Sequence, residues 1–121
     1  MAALSPDAIA KLVLATGELV ASELTALGPD AAFHPAPGEW CAKEVAGHLI
    51  EAERRGFAGR IRQFLAEPGA RAIAWDQDAV ERERGDCRRD PASLADELRA
   101  LRRESVALIR ALTPAQLEAW G

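Results

Sequence analysis

The chain has 121 residues, of which 49% are hydrophobic and 28% charged. That is the size of a single domain with one core, and the balance excludes a disordered polypeptide. The net charge of −4 excludes a general attraction to phosphate backbones. The pairs Arg54 and Arg55, Arg88 and Arg89, and Arg102 and Arg103 are interspersed with acids and form no basic patch, so no nucleic-acid partner is expected. No apolar run reaches the roughly 20 residues that a bilayer span needs.

The N-terminal "MAALSPDAIAKLVL" has no basic region ahead of an apolar stretch and reads as mature protein. Cys41 and Cys87 are the two cysteines. Their distant, unpatterned positions suggest reduced thiols, and a cytoplasmic location is the expectation. Strand formers are sparse: there is no Tyr and only three Phe and three Trp. Ala, Leu, Glu and Arg dominate, which favours helices.

The first predicted helix runs from Ser5 to Gly28. Ser5 suits the N-cap, Pro6 the first helical position and Asp7 the positive end of the dipole. Ile9, Leu12, Val13, Val20, Leu24 and Leu27 recur at steps that make one apolar stripe. Gly28-Pro29 then stops the helix. Residues 29–39, "PDAAFHPAPGE", hold three prolines and a glycine and read as a loop.

A second helix is expected from Cys41 to Ala66, ended by Pro68-Gly69. Val45, His48, Leu49 and Ala52 form one stripe that Gly56 and Gly59 continue. Ile50, Phe57, Ile61, Phe64 and Leu65 form another. Glycine inside a helix costs about 1 kcal/mol against Ala, so these two glycines suggest close approach by a neighbouring helix or a ligand. Next, "WDQDAVERERGD" reads as a short surface helix capped by Asp76, ended near Gly85 and anchored by Trp75 and Val80.

The third long helix is capped by Asp90 and opened by Pro91. Leu94, Leu98, Leu101, Ser105, Leu108 and Leu112 make a heptad-like seam that argues for antiparallel bundle packing. Thr113-Pro114 restarts a short turn. The fold class expected is all-α: three long helices plus short ones in one domain, residues 1–121.

"PAPGEWCAKEVAGHLIEAERRGFAGRIRQFL", followed by "WDQDAVERER" and "LIRALTPAQLEAW", resembles the DinB-like superfamily. The motif lies in Trp40, Lys43-Glu44-Val45 and His48-Leu49. The resemblance implies a four-helix bundle that holds a divalent metal, nickel or zinc. One ligand would be a helix-two histidine, here His48, and two more would come from a His-x-x-x-His pair on a fourth long helix, which has no counterpart in this sequence. It also implies an enzyme that transfers a low-molecular-weight thiol to an electrophile, the metal holding the thiol as thiolate.

With the fourth helix lacking, the metal site is expected to be incomplete and an apolar groove to be left open. A homodimer covering that groove is then expected. The alternative is a non-catalytic dimerising or small-molecule-binding bundle that takes no metal.

The neighbouring residues have plainer readings. His48 can be a hydrogen-bonded interior imidazole. Glu44 and Glu51, one turn to either side of it, can reach a metal, orient the ring or simply be solvated, and Arg55 can pair with Glu51 at i,i+4. His34 sits in a proline-flanked loop and is not expected to serve as a ligand. Cys41, at the helix start, is read as a poor N-cap, although the dipole there favours thiolate. Cys87 is read as an ordinary surface thiol, Trp40 as a plug at the bundle end, and Ser105 as a donor to its own helix or to His48.

Overall fold

The computed structural model of the chain describes residues 5–67, 69, 71 and 74–119. The described residues are helical, with no strand. The proposed stop at Pro68 and the closing Trp120 lie outside them.

Helix α1, Pro6–Leu27, begins where the sequence places it. The Ser5 hydroxyl accepts from the Ala8 N–H, and Gly28 leaves the helix at φ 52°. A 3₁₀ turn, Gly28–Ala32, leads into the loop. Helix α2, Ala42–Glu51, passes through a π-helical segment, Ala52–Ala58, into α3, Gly59–Ala66, making one long rod. Helix α4, Gln77–Arg84, is capped by the Asp76 carboxylate and stopped by Gly85 in the left-handed region, φ 61°. A 3₁₀ turn, Asp86–Arg88, follows, and then helix α5, Pro91–Ala111, capped by Asp90. Helix α6, Pro114–Ala119, opens on a reciprocal cap in which the Thr113 and Gln116 side chains each accept the other's backbone N–H.

Helix α1 packs chiefly on α5. Arg110 meets Asp7, Arg102 meets Thr16 and Arg99 meets Glu18, so the two helices are antiparallel. By contrast, Arg54 reaches Glu97 and Arg62 reaches Glu104, so the α2–α3 rod runs parallel to α5. Helix α4 and the Asp86–Arg88 turn pack back on α2, and the rod and α5 depart from the expected antiparallel packing.

The core has two clusters. One gathers Leu24, Ala31, Ala46, Ile50, Leu94, Leu98 and Leu101. The other gathers Ala10, Ile61, Val106 and Ile109. The α5 seam is buried from Leu94 to Ser105 and then passes to Val106 and Ile109.

On α1 the buried line is Ala10, Gly17, Ala21 and Leu24, whereas Leu12 of the expected stripe is 54% exposed. Small side chains let α5 come close: a Cβ on Gly17 would lie 2.8 Å from Cγ of Arg102.

The glycines of the second rod also differ from expectation. A Cβ on Gly56 would meet open space, and one on Gly59 would meet the Arg54 carbonyl of its own rod. Close approach occurs instead at Gly47, where a Cβ would overlap the Asp86 carboxylate.

Candidate metal centre

Cys41 is the N-cap residue of α2, and its backbone N–H donates to Glu44 Oε1 at 3.0 Å, half of a capping box. That bond fixes Glu44 beside the start of the helix. The 3₁₀ turn after Gly85 then delivers Cys87, held partly by Lys43 Nζ donating to its carbonyl at 3.3 Å. Sγ of Cys87 lies 2.7 Å from Sγ of Cys41, and both cysteines are free thiols. The proline-flanked loop brings His34 to the same place, its Nε2 3.3 Å from Cys87 Sγ.

The His34 ring has a defined tautomer. Nδ1 lies 2.8 Å from the Glu39 carbonyl oxygen, which can only accept, so Nδ1 carries the hydrogen. In the neutral ring Nε2 is then the free lone pair, and it faces the Cys87 sulfur. A histidine whose second nitrogen donates to a carbonyl is the arrangement that orients metal ligands. Nδ1 is also 3.5 Å from Glu44 Oε1.

His34, Cys41, Glu44 and Cys87 each offer one donor atom, all within 4.8 Å of one another, and together could hold a metal ion. Two sulfurs, one imidazole nitrogen and one carboxylate oxygen make a donor set that fits such an ion.

Several expectations are overturned here. His34 is not excluded by its loop, which sets its Nδ1 3.5 Å from Glu44 Oε1 and its Nε2 3.3 Å from Cys87 Sγ. Cys87 is not an ordinary surface thiol. Burial pushes the Cys41 thiol up to about 12, helped by the neighbouring Cys87, so burial outweighs the dipole that would favour thiolate. Glu44 and Glu51 are not solvated carboxylates. Glu44 belongs to the cluster, and Glu51, 4% exposed, binds Arg54, Arg55 and Arg84 at 3.1, 2.8 and 2.9 Å. The Arg55 pairing with Glu51 is as expected.

His48 lies outside the cluster. Its ring sits between Trp40 and Trp75, with centroids 5.4 and 5.6 Å away, and its buried Nδ1 has no hydrogen-bond partner among the described residues. Arg55 lies over the Trp75 ring. Trp40 therefore packs on the bundle end as expected, and its neighbour there is His48. Ser105 is fully buried, and its hydroxyl bonds neither its own helix nor His48.

Beside the cluster is a cavity of about 340 Å³ lined by His34, Glu39, Trp40, Glu44, Asp78 and Glu81 among others. Glu81 is 4% exposed and Asp86 fully buried. The two carboxyl groups converge over Gly47. Asp86 takes hydrogen bonds from Arg84 at 2.8 and 3.0 Å and from Arg89 at 3.3 Å. Neither Glu81 carboxyl oxygen has a well-formed hydrogen bond among the described residues, and the nearby Asp86 backbone N–H favours the charged form only weakly against burial. A proton on Glu81 is what reconciles the two acids. Burial, followed by its contact with Asp86, pushes the Glu81 carboxyl up to about 8.

This shift has a sign. The folded chain holds the Glu81 proton at pH values where the unfolded chain has released it, so stability falls as pH rises from about 4.5 to about 8. The fall for one proton is no steeper than about 1.4 kcal/mol per pH unit. Glu51 and Glu97 act in the other sense. Burial pushes each up, but the arginines around them outweigh it and hold both below the usual carboxylate range, so their contribution is lost as pH falls through their folded values. Urea unfolding between pH 5 and 8 is expected to show the downward slope, and Glu81→Gln is expected to flatten it. An equal slope in the variant would rule out Glu81 as its source.

The class defined by this architecture is an all-α bundle with a mixed thiol, imidazole and carboxylate cluster at one end. The family is equally plain: residues 8–121 match the family model of the DinB superfamily, and the chain belongs to it. No curated protein and no solved structure gives a significant match. No helix of the described residues is long and apolar enough to cross a membrane.

Proposed function

We propose that this DinB-superfamily chain binds one zinc ion at His34, Cys41, Glu44 and Cys87. We further propose that the centre serves thiol chemistry in the adjoining cavity. The observation that carries this reading is the convergence of four donor atoms of zinc-binding type from three separate segments, with the His34 lone pair already aimed inward.

Glu44 gives the site a second property. One of its oxygens caps α2 and its side chain lines the cavity. When Glu44 yields its place on the cavity side to substrate, two thiolates and an imidazole remain with one open position, the pattern of zinc sites that take substrate. A zinc ion bound there would hold a low-molecular-weight thiol as thiolate, ready to meet an electrophile. Thiol transfer, the activity that the family resemblance implies, is the reaction proposed. The role of His48 would be to close the aromatic end of the bundle beside the cluster.

The test is metal uptake by the reduced full chain. One equivalent of zinc is expected, and cobalt(II) in its place is expected to develop thiolate charge-transfer absorption. Affinity is expected to fall more than about 100-fold in Cys41→Ser or His34→Ala, beyond the range for outer-shell changes. In His48→Ala it is expected to be unchanged. Uptake lost in His48→Ala but kept in Cys87→Ser would move the metal to the family's position on the second helix.

A second reading has its own observation. Val20, Leu24, Leu27, Ala42, Val45 and Leu49 line an apolar groove of about 240 Å³ between α1 and α2, with Leu27 41% and Val45 45% exposed. Exposed apolar surface of this kind is where a second copy of the chain would dock. A homodimer is therefore proposed, and a Val45→Glu change on the groove is expected to give monomers by light scattering. Monomeric wild-type protein at micromolar concentration would remove the dimer.

A further inference from the structure

Four groups of this cluster would hold a metal, yet two of them are sulfurs in mutual contact, and that contact gives the centre a second fate. Sγ of Cys41 and Sγ of Cys87 are 2.7 Å apart as free thiols. Their residues lie on elements that stay in place around them: Cys41 caps α2, and Cys87 sits in the 3₁₀ turn tied by Lys43 and by the Asp86 network. The two sulfurs differ in access. Cys41 is fully buried, whereas Cys87 is partly open to solvent. One can therefore meet a small oxidant, and the other is positioned to resolve the product.

We propose that hydrogen peroxide joins Cys41 to Cys87 in a disulfide and that this releases the metal. The inference rests on the zinc reading above. In the first step the Cys87 sulfur attacks one peroxide oxygen. An S–O bond forms, the O–O bond breaks, and the departing hydroxide leaves as water with a proton taken from solvent, because the metal-bound Cys87 is a thiolate. In the second step the Cys41 sulfur attacks the Cys87 sulfur. The S–S bond forms, the S–O bond breaks, and the hydroxide leaves as water with a second proton from solvent, as the zinc ion is released. Two zinc-bound thiolates, two solvent protons and one peroxide become one disulfide, two waters and a free zinc ion, the sulfurs losing two electrons and the peroxide gaining them.

A disulfide sulfur has no thiolate charge to offer a metal. Oxidation therefore removes two of the four donors and leaves His34 and Glu44, one neutral ring and one carboxylate. Two ligands fall short of the three or four that a zinc site uses. The same bond spans the α2 N-terminus and the turn after α4, so it replaces the metal as the tie between these segments. The bundle is expected to stay folded while the metal leaves. The device is a peroxide-sensitive zinc centre.

The experiment uses the full chain, reduced and then loaded with zinc, treated with hydrogen peroxide in the presence of a chromophoric zinc chelator. Expected results are release of the bound zinc, an intact mass lower by about 2 Da for the two hydrogens lost, an unchanged helical circular dichroism spectrum, and recovery of zinc uptake after a dithiol reductant. Peptide mapping is expected to find residues 41 and 87 linked within one chain. In Cys41→Ser the mass loss is expected to vanish and Cys87 to gain oxygen instead. Zinc-loaded protein that keeps its metal and its mass through peroxide treatment overturns the switch alone. Reduced protein that takes up no zinc overturns the reading beneath it. Disulfide-linked dimers in place of the internal bond overturn the pairing.

Discussion

Arg84→Met is expected to cost about 3–5 kcal/mol of folding stability, the range for removing one partner of a buried ion pair. Arg84 is 12% exposed in its side chain, and it donates to Glu51 at 2.9 Å and to Asp86 at 2.8 Å, with Glu97 at 3.4 Å. Glu51 and Asp86 are 6% and 0% exposed. Desolvation alone would ease the proton off Arg84, but the carboxylates around it hold the proton more tightly than usual.

Methionine fills most of the same volume and supplies no charge, so the change isolates the loss of the cation. Arg54, Arg55 and Arg89 remain nearby but are 30–49% exposed and share the same acids. They are expected to recover only part of the loss. Urea unfolding at neutral pH gives the value. A loss under about 1 kcal/mol would mean that the network is worth no more than a surface salt bridge.

Gly47→Ala is expected to be the most costly single methyl in the chain, about 1–3 kcal/mol for overpacking and toward the top of that range. The added Cβ would overlap the Asp86 carboxylate and lie 2.7 Å from Glu81 Oε2. Asp86 is pinned by Arg84 and Arg89 and has nowhere to retreat, and its neighbour Cys87 would move with it. Zinc affinity is therefore expected to fall as well. Gly56→Ala supplies the contrast. Nothing lies within 4 Å of a Cβ there, so Ala is expected to stabilise by roughly 0.5–1 kcal/mol through helix propensity. Equal thermal shifts in the two variants would refute the close approach at Gly47.

The two variants touch what the sequence conceals. Glu51, Glu81, Arg84 and Asp86 read as the polar face of surface helices, because a one-dimensional pattern treats every charge as solvated. Their burial follows from α4 and the Asp86–Arg88 turn folding back across Gly47, a contact between residues more than thirty positions apart. A signal was nevertheless present: a glycine within an otherwise helical stretch, where Ala would serve better, marks a place that another group occupies. The sequence points to Gly56 and Gly59 for this role, and Gly47 carries it.

The cluster that could hold a metal was hidden for a similar reason. Cys41 and Cys87 are 46 residues apart and His34 and Cys87 are 53 apart, with no spacing of the kind that marks a zinc motif. Reading His34 as unusable rested on its prolines, yet the loop they flank sets the ring beside Cys87 and Glu44. The resemblance drew attention to His48, whose ring instead lies between two tryptophans.

What the sequence by itself determined is the set of helices and their ends. Ser5, Asp76 and Asp90 cap them, Gly28 and Gly85 stop two of them, and the leucine seam of α5 names the core. Those signals act over one or two turns, so they survive without knowledge of the rest of the chain. Only the tertiary structure decided which rods run parallel, which small residues on α1 meet α5, and which thiols, imidazole and carboxylates share one end of the bundle. These contacts depend on how α4 and the Asp86–Arg88 turn pack across the second rod, and no local pattern encodes that contact.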